Sequence, residues 1–261
     1  MKQIFVLLVY IATAHYALGD AVSYLRFEEN TGTVAHDETG LMDGEMLGIW
    51  GGSEGWSTDV PVSTIPQTGE ANNSSIRFGG GSEYIDLSNY NDLLLGYSFT
   101  IEMFIKPEEP TTSYLFSLSP SAALGMNIFR EGDGTLSYLI NHMGISLGGP
   151  FVDLIIGEWQ HIAYVKMPGE YSVYLDGVQV VHETLASSLD GPYDFPGVGT
   201  IGDRAIGNDD GGTWRGWLDE FRISDEALSP SQFLNASIPE PGTLGLLLFG
   251  AAGLVWRRQR K

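Results

Sequence analysis

Three strand-like pieces joined by two tight turns, in residues 159–181, constrain the fold of this chain more than any other feature. Pro168 and Gly169 form the first turn sequence. Asp176 and Gly177 form the second, and this pair predicts a two-residue hairpin because both of its turn positions need a positive φ. The pattern therefore predicts a meander of antiparallel strands.

A further strand is predicted before Pro107, because apolar and polar side chains alternate along the segment that this proline ends. One face carries Phe99, Ile101, Met103 and Ile105, and the other carries Thr100, Glu102 and Lys106. The 261 residues include 34 glycines, while apolar stripes of helical period are scarce. Together these features predict an all-β fold of many short strands and tight turns.

The N-terminal end of the chain predicts export. Lys2 precedes apolar residues 4–14, and the small residues Ala17 and Gly19 follow them. A charged start, an apolar centre and a small-residue exit are typical of a secretory signal peptide, so residues 1–19 are assigned to one. A buried first strand is the alternative.

The C-terminal end predicts membrane insertion. The segment from Gly242 to Trp256 carries no charge, and as a helix at ~1.5 Å per residue it would span roughly 22 Å, less than a bilayer core of about 30 Å. Four cations follow it, namely Arg257, Arg258, Arg260 and Lys261. This order predicts a short membrane helix with its basic tail on the cytoplasmic side. A buried C-terminal core helix is the alternative.

Pro239, Glu240 and Pro241 stand immediately before this apolar segment. Together with the segment and with Arg257 and Arg258 at its tip, they resemble the PEP-CTERM sorting signal of Gram-negative and related bacteria. The resemblance implies recognition and processing by a membrane protease of the exosortase type. It also implies transient insertion in the inner membrane, then release or attachment at the cell surface or in an extracellular polysaccharide matrix.

The part of the chain between the two ends is strongly acidic. Lys2 and the four tail cations take five of the 13 basic residues, and Glu240 takes one of the 33 acidic residues. Residues 20–239 therefore keep 8 basic against 32 acidic residues, a formal charge of −24. This charge predicts that nucleic acid is not a partner, whereas neutral glycans and calcium are compatible with it. Because the chain has no cysteine, core packing or a metal must stabilise the exported domain.

Four segments spread along the chain carry a second resemblance. They are SYLRFEENTGTVAHDETGLMDGEMLG, then FTIEMFIKP, then WQHIAYV followed by YSVYLDGVQV, and finally GWLDEFRISDEALSPSQF. In this order they resemble concanavalin A-like, laminin G-like jelly rolls over about residues 22–234. The resemblance implies two antiparallel sheets packed face to face. The domains expected are a signal peptide in residues 1–19, a laminin G-like domain in 20–236 and a sorting signal in 237–261, with a short helix or turn at Ser229 to Leu234.

No catalytic residue is assigned. Glycoside hydrolases of this shape commonly carry a Glu-x-Asp-x-x-Glu strand, and the chain has no such pattern. Glu102 stands alone on its strand, and the adjacent Asp219 and Glu220 are expected to face opposite ways along an extended strand. His161 is expected to pack against the sheet. These observations predict that the protein is not an enzyme.

Calcium is the cofactor that the laminin G-like resemblance implies. It indicates that Asp219, together with acidic loop residues near the N-terminus such as Asp37 or Asp43, can form a structural calcium site, because Ca²⁺ takes six to eight oxygen ligands. The segment DETGLMDG departs from the asparagine-rich loop usual in the family. Ordinary solvated carboxylates are the alternative. A further acidic group consists of Asp203, Asp209 and Asp210.

Tryptophans near glycine-rich or acidic loops are the candidates for glycan binding, because a sugar stacks its CH face on a ring. Trp50 and Trp56 lie in a glycine-rich loop, and Trp214 ends the segment DDGGTW. This segment resembles the Asp-box of sialidases, which implies a structural turn. The alternative for all three tryptophans is packing at the ends of the sandwich.

Taken together, the sequence predicts an exported, non-enzymatic binding or structural module of the cell surface or the extracellular polysaccharide matrix. A carbohydrate-binding lectin is the first alternative, and a divergent glycoside hydrolase is the second. The partners expected are the processing protease, the inner membrane during sorting, and an extracellular polysaccharide.

Overall fold

The computed structural model of the chain describes residues 21–48, 55–87, 93–121, 124–142, 145–187, 189–195, 199–203 and 212–237. The predicted signal peptide and the apolar segment near the C-terminus lie outside these ranges. Within them, there is no helix with the length and apolar character that a membrane crossing needs.

Short strands make up most of the regular structure. In chain order they are β1 (Ala21–Leu25), β2 (Val34–Ala35), β3 (Gly44–Leu47), β4 (Gly55–Ser57), β5 (Ser75–Gly79), β6 (Tyr84–Asp86), β7 (Leu93–Leu95), β8 (Phe99–Pro107), β9 (Ser113–Ser121), β10 (Leu124–Arg130), β11 (Thr135–His142), β12 (Ile145–Asp153), β13 (Gln160–Met167), β14 (Glu170–Leu175), β15 (Val178–Thr184), β16 (Tyr193–Phe195), β17 (Gly199–Ile201) and β18 (Arg215–Ser224). One 3₁₀ turn, Pro230–Gln232, follows them.

The strands form two large sheets, which confirms the predicted all-β sandwich. Sheet I has the order β15-β14-β13-β8-β18-β5-β4, and β1 pairs with the second half of β18. Sheet II has the order β12-β11-β10-β9-β17-β6-β3-β2, and β7 pairs with β16 in a small separate sheet. The strand pairs in both large sheets are antiparallel.

The predicted strand, hairpin and terminal turn are all confirmed. The apolar side of β8 lies in the core between the two sheets, as its alternation predicts. Asp176 and Gly177 join β14 to β15 with φ values of 51° and 78°, the positive values that their turn requires. The predicted short helix near Ser229 is the 3₁₀ turn at Pro230–Gln232.

The core fills the space between the inner faces of the two sheets. Phe116 of sheet II packs against Phe221 of sheet I, with their ring centroids 5.0 Å apart. Both rings are fully buried, and the same core includes Ile101, Ile128 and Ile223. Because these inward positions are filled, a ligand cannot enter between the sheets, and a binding site has to lie on an outer face or at the loop ends of the sandwich.

Residues 225–236, here called the C-terminal strap, cover part of the outer face of sheet I. Leu228 and Phe233 pack on the two outward residues Ala163 and Val165 of β13. Further along the strap, Leu234 packs with three buried residues that belong to β1, to β8 and to the segment between β4 and β5. The strap therefore buries apolar surface on a side of the sheet that would otherwise face water.

Glu102 of β8 ties this strap to the sheet. Its Oε1 accepts two hydrogen bonds from Arg222, one from Nη2 and one from Nε at 2.8 Å. Its Oε2 accepts one from Nε2 of His161 at 2.8 Å and one from the backbone N of Leu234 at 2.9 Å. Arg222 also donates to the carbonyl oxygen of Gln232 at 2.9 Å. Burial by itself would raise the pKa of Glu102, but the charge of Arg222 and these hydrogen bonds hold that pKa below its usual value.

Removing this carboxylate should destabilise the fold strongly. Glu102→Ala leaves the Arg222 guanidinium buried without a counter-charge, so we expect the free energy of unfolding to fall by about 3 to 5 kcal/mol. The matched control is Glu109→Ala, whose half-exposed carboxylate lies 3.2 Å from Arg215. That variant should lose less than about 1 kcal/mol. Urea unfolding followed by tryptophan fluorescence measures both, and equal losses would contradict the role of Glu102.

Candidate functional site

The tryptophans proposed from the sequence do not form one surface. Trp50 lies outside the described residues. Trp56 is half-buried against the main core, and its Nε1 donates to the carbonyl oxygen of Gly32 at 3.0 Å. Trp214 is fully buried in the core. A buried ring cannot stack on a sugar, so the glycan-binding role predicted for Trp214 is corrected to the alternative, packing inside the sandwich.

Asp37 and Asp43, two of the residues proposed for calcium, form a tight turn with each other. The Asp37 carboxylate accepts hydrogen bonds from the backbone nitrogens of Tyr24, Thr39 and Met42 at 2.7 to 2.9 Å. Asp43 accepts one from the backbone nitrogen of Asp37 at 2.8 Å. Backbone donors therefore occupy these carboxylates, which is the usual structural role of aspartate in a turn.

Asp219 and Glu220 occupy a β-bulge, so the prediction that they face opposite ways is wrong. The pairing of β18 with β8 shifts register between Asp219 and Arg222, and Glu220 has a φ of 52°. The extra residue of the bulge brings both carboxylates to the outer side of sheet I. Asp219 accepts a hydrogen bond from Nδ2 of Asn72 at 2.8 Å, and Glu220 accepts one from the Tyr24 hydroxyl.

Burial raises the pKa of both carboxyl groups in this bulge. The pKa of Glu220 rises to about 7, although the charge of Arg26, whose Nη2 lies 3.2 Å from Oε1, and the Tyr24 hydroxyl oppose the rise. Burial, and then the nearby charge of Glu220, hold the pKa of Asp219 well above its usual value. These two acids are therefore stabilised in their protonated form, which is the form that binds cations poorly.

The calcium residues proposed from the sequence do not converge on one site. Asp219 keeps one buried oxygen, Oδ1, without a hydrogen-bond partner, and so does Asn72 with its own Oδ1. In the part of the chain that the structure describes, no group of three or more histidine, aspartate or glutamate side chains is placed to hold a metal ion. Asp209 and Asp210 lie outside that part. Structural calcium stays a prediction, and Asp37, Asp43 and Asp219 do not fit it as a single set of ligands.

The outer face of sheet II carries polar side chains on five neighbouring strands. In strand order they are Glu45, Asp86, Thr200, Ser117 and Asn127, each directly opposite the next. Their chain neighbours Ile85, Ile201 and Phe116 lie in the core, so these five residues point away from it. We call them the polar row. At ~4.8 Å between strands, it extends over about 19 Å.

The middle of the polar row is made of hydrogen-bonding groups that are buried although they face outwards. Ser117 donates through Oγ to Oδ1 of Asn127 at 2.7 Å, and the amide nitrogen Nδ2 of Asn127 takes no part in this hydrogen bond. Thr200 donates through Oγ1 to the carbonyl oxygen of Asp203 at 2.7 Å. These three residues are at most 5% exposed. They therefore form the buried, hydrogen-bonded middle of the row, beside the more exposed Glu45 and Asp86.

One end of the polar row is acidic. Glu45 and Asp86 lie directly opposite each other on β3 and β6, a placement that costs stability for like charges. Tyr84 lies on the same face, where burial and then the charges of Asp86, Asp203 and Glu45 raise the pKa of its hydroxyl. Carboxylates on an outer face can accept hydrogen bonds from a ligand, so the acidic end is part of the candidate site.

Two stacked aromatic rings lie next to the other half of the polar row. Tyr114 and Phe129 are half-buried, with ring centroids 5.4 Å apart and an interplanar angle of 29°. Leu115 and Phe116 both enter the core, and this bulge in β9 places Tyr114 on the outer face beside Phe129. Gly212 lies against the Tyr114 ring, where an added Cβ would come within 2.7 Å of it.

The polar row and its aromatic neighbours have the composition that carbohydrate recognition needs. Rings provide surface for the CH face of a sugar, and hydroxyl, amide and carboxylate groups can bond its hydroxyls. The sequence analysis missed all five residues of the polar row, because they belong to five strands that are far apart along the chain. The serine-rich alternation of β9 is the one local signal that could have indicated Ser117.

Two family models match the chain. One, described as the concanavalin A-like lectin/glucanases superfamily, matches residues 79–233, which are 155 of the 261 residues. The other, the PEP-CTERM protein-sorting motif, matches residues 237–261 and indicates an exported, membrane-anchored precursor that an exosortase processes. No curated protein sequence matches the chain. The predicted domain boundaries at residues 19 and 236 stay predictions.

Solved structures with the same fold include three proteins named for binding or hydrolysis. Domain 4 of AbnA, a GH43 extracellular arabinanase from Geobacillus stearothermophilus in complex with arabinotriose, is 20% identical with a TM-score of 0.62, over 83% of this chain and 97% of that one. The Botulinum neurotoxin serotype D binding domain is 14% identical with a TM-score of 0.54, over 83% and 50%. Trypanosoma rangeli sialidase is 13% identical with a TM-score of 0.54, over 83% and 32%. At these identities the likeness shows the fold alone.

The raised pKa of Glu220 predicts a stability that depends on pH. Because its pKa of about 7 in the folded state lies above the usual glutamate value of 4.5, the folded state binds more protons than the unfolded state between these values, and it loses stability as the pH rises through them. Glu220→Gln lacks this titration. We expect the loss of unfolding free energy between pH 5 and pH 7.5 to be smaller in the variant by on the order of 2 kcal/mol. Urea unfolding at several pH values measures this, and parallel curves would contradict it.

Proposed function

Since this chain belongs to the concanavalin A-like lectin/glucanases superfamily, we propose that it is an exported, non-enzymatic module that binds a neutral glycan. The observation that carries this proposal is the polar row, in register across five strands of sheet II beside the stacked rings of Tyr114 and Phe129. A row of about 19 Å suits a chain of several sugars better than a single one.

Charge favours a neutral glycan over an acidic one. The acidic end of the polar row holds Glu45 and Asp86, with Asp203 close enough to affect the same tyrosine. The part of the chain between its two predicted targeting segments carries a formal charge of −24. A uronate-containing polymer would be repelled by both, whereas the hydroxyls of a neutral sugar can donate to these carboxylates. The arabinotriose complex of AbnA domain 4 has the same fold, and it supports a neutral oligosaccharide as the first probe.

The sorting motif supports a destination outside the inner membrane. A precursor with this motif is exported, anchored and processed. We infer that the processed protein stays at the cell surface or in the extracellular polysaccharide matrix. Binding to a glycan there would hold the released domain in place, which gives the polar row a role in retention as well as in recognition.

Glycoside hydrolysis is the second candidate, and one observation favours it. Glu45 and Asp86 are carboxylates on directly opposite strand positions at the acidic end of the polar row. Paired carboxylates that face a bound sugar are what retaining and inverting hydrolases use. Measuring the products formed from bound oligosaccharide discriminates the two functions, because a binding module releases none, whereas a hydrolase releases shorter sugars and Asp86→Asn abolishes the release.

Substitutions in the polar row should weaken glycan binding without unfolding the protein. Asn127→Ala removes a side chain that can donate two hydrogen bonds, so we expect affinity for arabinotriose to fall about two- to tenfold. Tyr114→Ala should cause a similar loss through the missing ring surface. Isothermal titration calorimetry measures both, with xylotriose and cellotriose as further neutral probes and an oligogalacturonate as the charged probe expected not to bind.

Tyr97→Ala is the matched control for these variants. Tyr97 is a 52% exposed tyrosine that precedes β8 in sheet I, away from the polar row, so its loss should leave the affinity unchanged. A thermal unfolding curve for each variant separates lost binding from lost fold. Binding that survives Asn127→Ala and Tyr114→Ala, or that fails for every neutral probe with the parent protein, would contradict the proposed site.

Processing depends on the sorting motif. Replacing Pro239 and Glu240 by alanine in the full chain should leave the precursor unprocessed and membrane-bound in a host that carries an exosortase. Mass spectrometry of membrane, surface and medium fractions measures this as the full precursor mass. The matched control replaces Pro110 and Glu131, which lie in loops of the domain, and should be processed normally. Normal processing of the Pro239 and Glu240 variant would contradict the role of the motif.

A further inference from the structure

The C-terminal strap delivers the chain to one end of sheet I. Leu234 packs beside Trp159, which directly precedes β13. The side chain of the next residue, Asn235, lies beside Gly177 of the β14–β15 hairpin, 3.9 Å from where a Cβ of that glycine would stand. The last hydrogen bond of the strap joins the backbone N of Ala236 to the carbonyl oxygen of Phe233 at 2.9 Å. We call this end of sheet I the exit end.

Exposed apolar side chains are concentrated at the exit end. Ile155 and Ile156, which are 54% and 43% exposed, lie in the turn before β13, and Gly157 of this turn donates to the carbonyl oxygen of Pro107 at the end of β8 at 2.8 Å. Val178, 67% exposed, begins β15 just after the hairpin turn. Among the described residues, only seven large apolar side chains are exposed, and these three share the end where the chain leaves.

The chain between the strap and the apolar segment is short. Five residues, 237–241, separate Ala236 from Gly242, and the six steps between those two residues span at most about 22 Å at full extension. The polar headgroup layer of a bilayer occupies roughly 5 to 8 Å of that distance. An apolar segment that would span roughly 22 Å is also shorter than the hydrocarbon core, and a short segment draws its flanking residues towards the bilayer.

We propose that the exit end is a membrane-facing surface, in which Ile155, Ile156 and Val178 contact the lipid interface while the precursor is anchored. This proposal rests on the anchoring part of the proposed function and is independent of glycan binding. The partner is the lipid of the same bilayer that holds the apolar segment. The carboxylate of Glu158 is exposed in the same turn, and it would be repelled by anionic headgroups. The contact therefore depends on burial of the apolar side chains, and a membrane rich in neutral headgroups suits it best.

The absence of cysteine from the natural chain allows a direct test on the full precursor. Single variants Ile156→Cys and Val178→Cys carry a nitroxide label, and the protein is reconstituted in vesicles of phosphatidylethanolamine with a minor fraction of phosphatidylglycerol. Collision with oxygen and with a water-soluble nickel complex then reports the depth of each label by electron paramagnetic resonance. We expect both labels to lie near the headgroup–acyl boundary, within about 5 to 10 Å of it.

Met167→Cys is the matched control. Met167 is 37% exposed and ends β13, seven residues from the exit end of that strand, or roughly 24 Å at ~3.4 Å per residue. Its label should remain accessible to the nickel complex. Water-exposed labels at positions 156 and 178, or a label at 167 that lies as deep as they do, would overturn the proposal.

A fourth variant, Leu248→Cys, reports the anchor itself. A label at this position that stays in water would overturn both the anchoring and the membrane-facing surface, while arabinotriose binding by the same sample would still test the polar row. A buried label at 248 with water-exposed labels at 156 and 178 would overturn the membrane-facing surface alone. The two proposals therefore fail in distinguishable ways.

Discussion

A single buried carboxylate, that of Glu102, holds the C-terminal strap on sheet I. Glu102 receives donors from β18, from β13 and from the backbone of the C-terminal strap, and it is fully buried. An ionised group in that position is tolerable only because the charge of Arg222 and four hydrogen bonds compensate for its lost hydration. The same contacts hold Gln232 and Leu234 on the sheet, so the strap and the charge stabilise each other. The part of the outer face of sheet I that the strap covers therefore contributes to stability.

Because the strap occupies part of the outer face of sheet I, we place the glycan-binding site on the outer face of sheet II. Both sheets use their inner faces for the common core, and the strap covers part of the outer face of sheet I. In the described part of the chain, the apolar clusters outside the common core lie on sheet I. One end of the polar row places two carboxylates directly opposite each other on the outer face of sheet II, an arrangement that the core does not need. Recognition and stability are thus divided between the two sheets.

Local patterns predicted much of the fold, whereas the candidate site depends on topology. The alternation along β8 and the pair Asp176 and Gly177 fix side-chain direction and turn geometry within a few residues, so the sequence alone indicates them. At Glu220 a positive φ within a bulge turns the carboxylate to the opposite side of the sheet from the one that alternation predicts. No pattern of side chains in the sequence indicates this bulge. The acidic and glycine-rich residues around Trp214 made it a candidate for stacking on a sugar, but its side chain is buried in the core. The polar row exists only because five distant strands pair in one register.

The same topology separates the two proposed surfaces. The polar row runs across the outer face of sheet II, while the exit end lies where β8 and β14 finish and β13 and β15 begin in sheet I. The polar row crosses β9 and β10 three to four residues from the strand ends that lie near the exit end, or roughly 10 to 13 Å at ~3.4 Å per residue. A precursor held by its exit end would therefore leave the row outside the lipid contact. Because Glu102 fixes the strap on sheet I, the strap ends at a defined point of the domain, the exit end. The contacts that stabilise the fold therefore also determine from which end of the domain the anchor leaves.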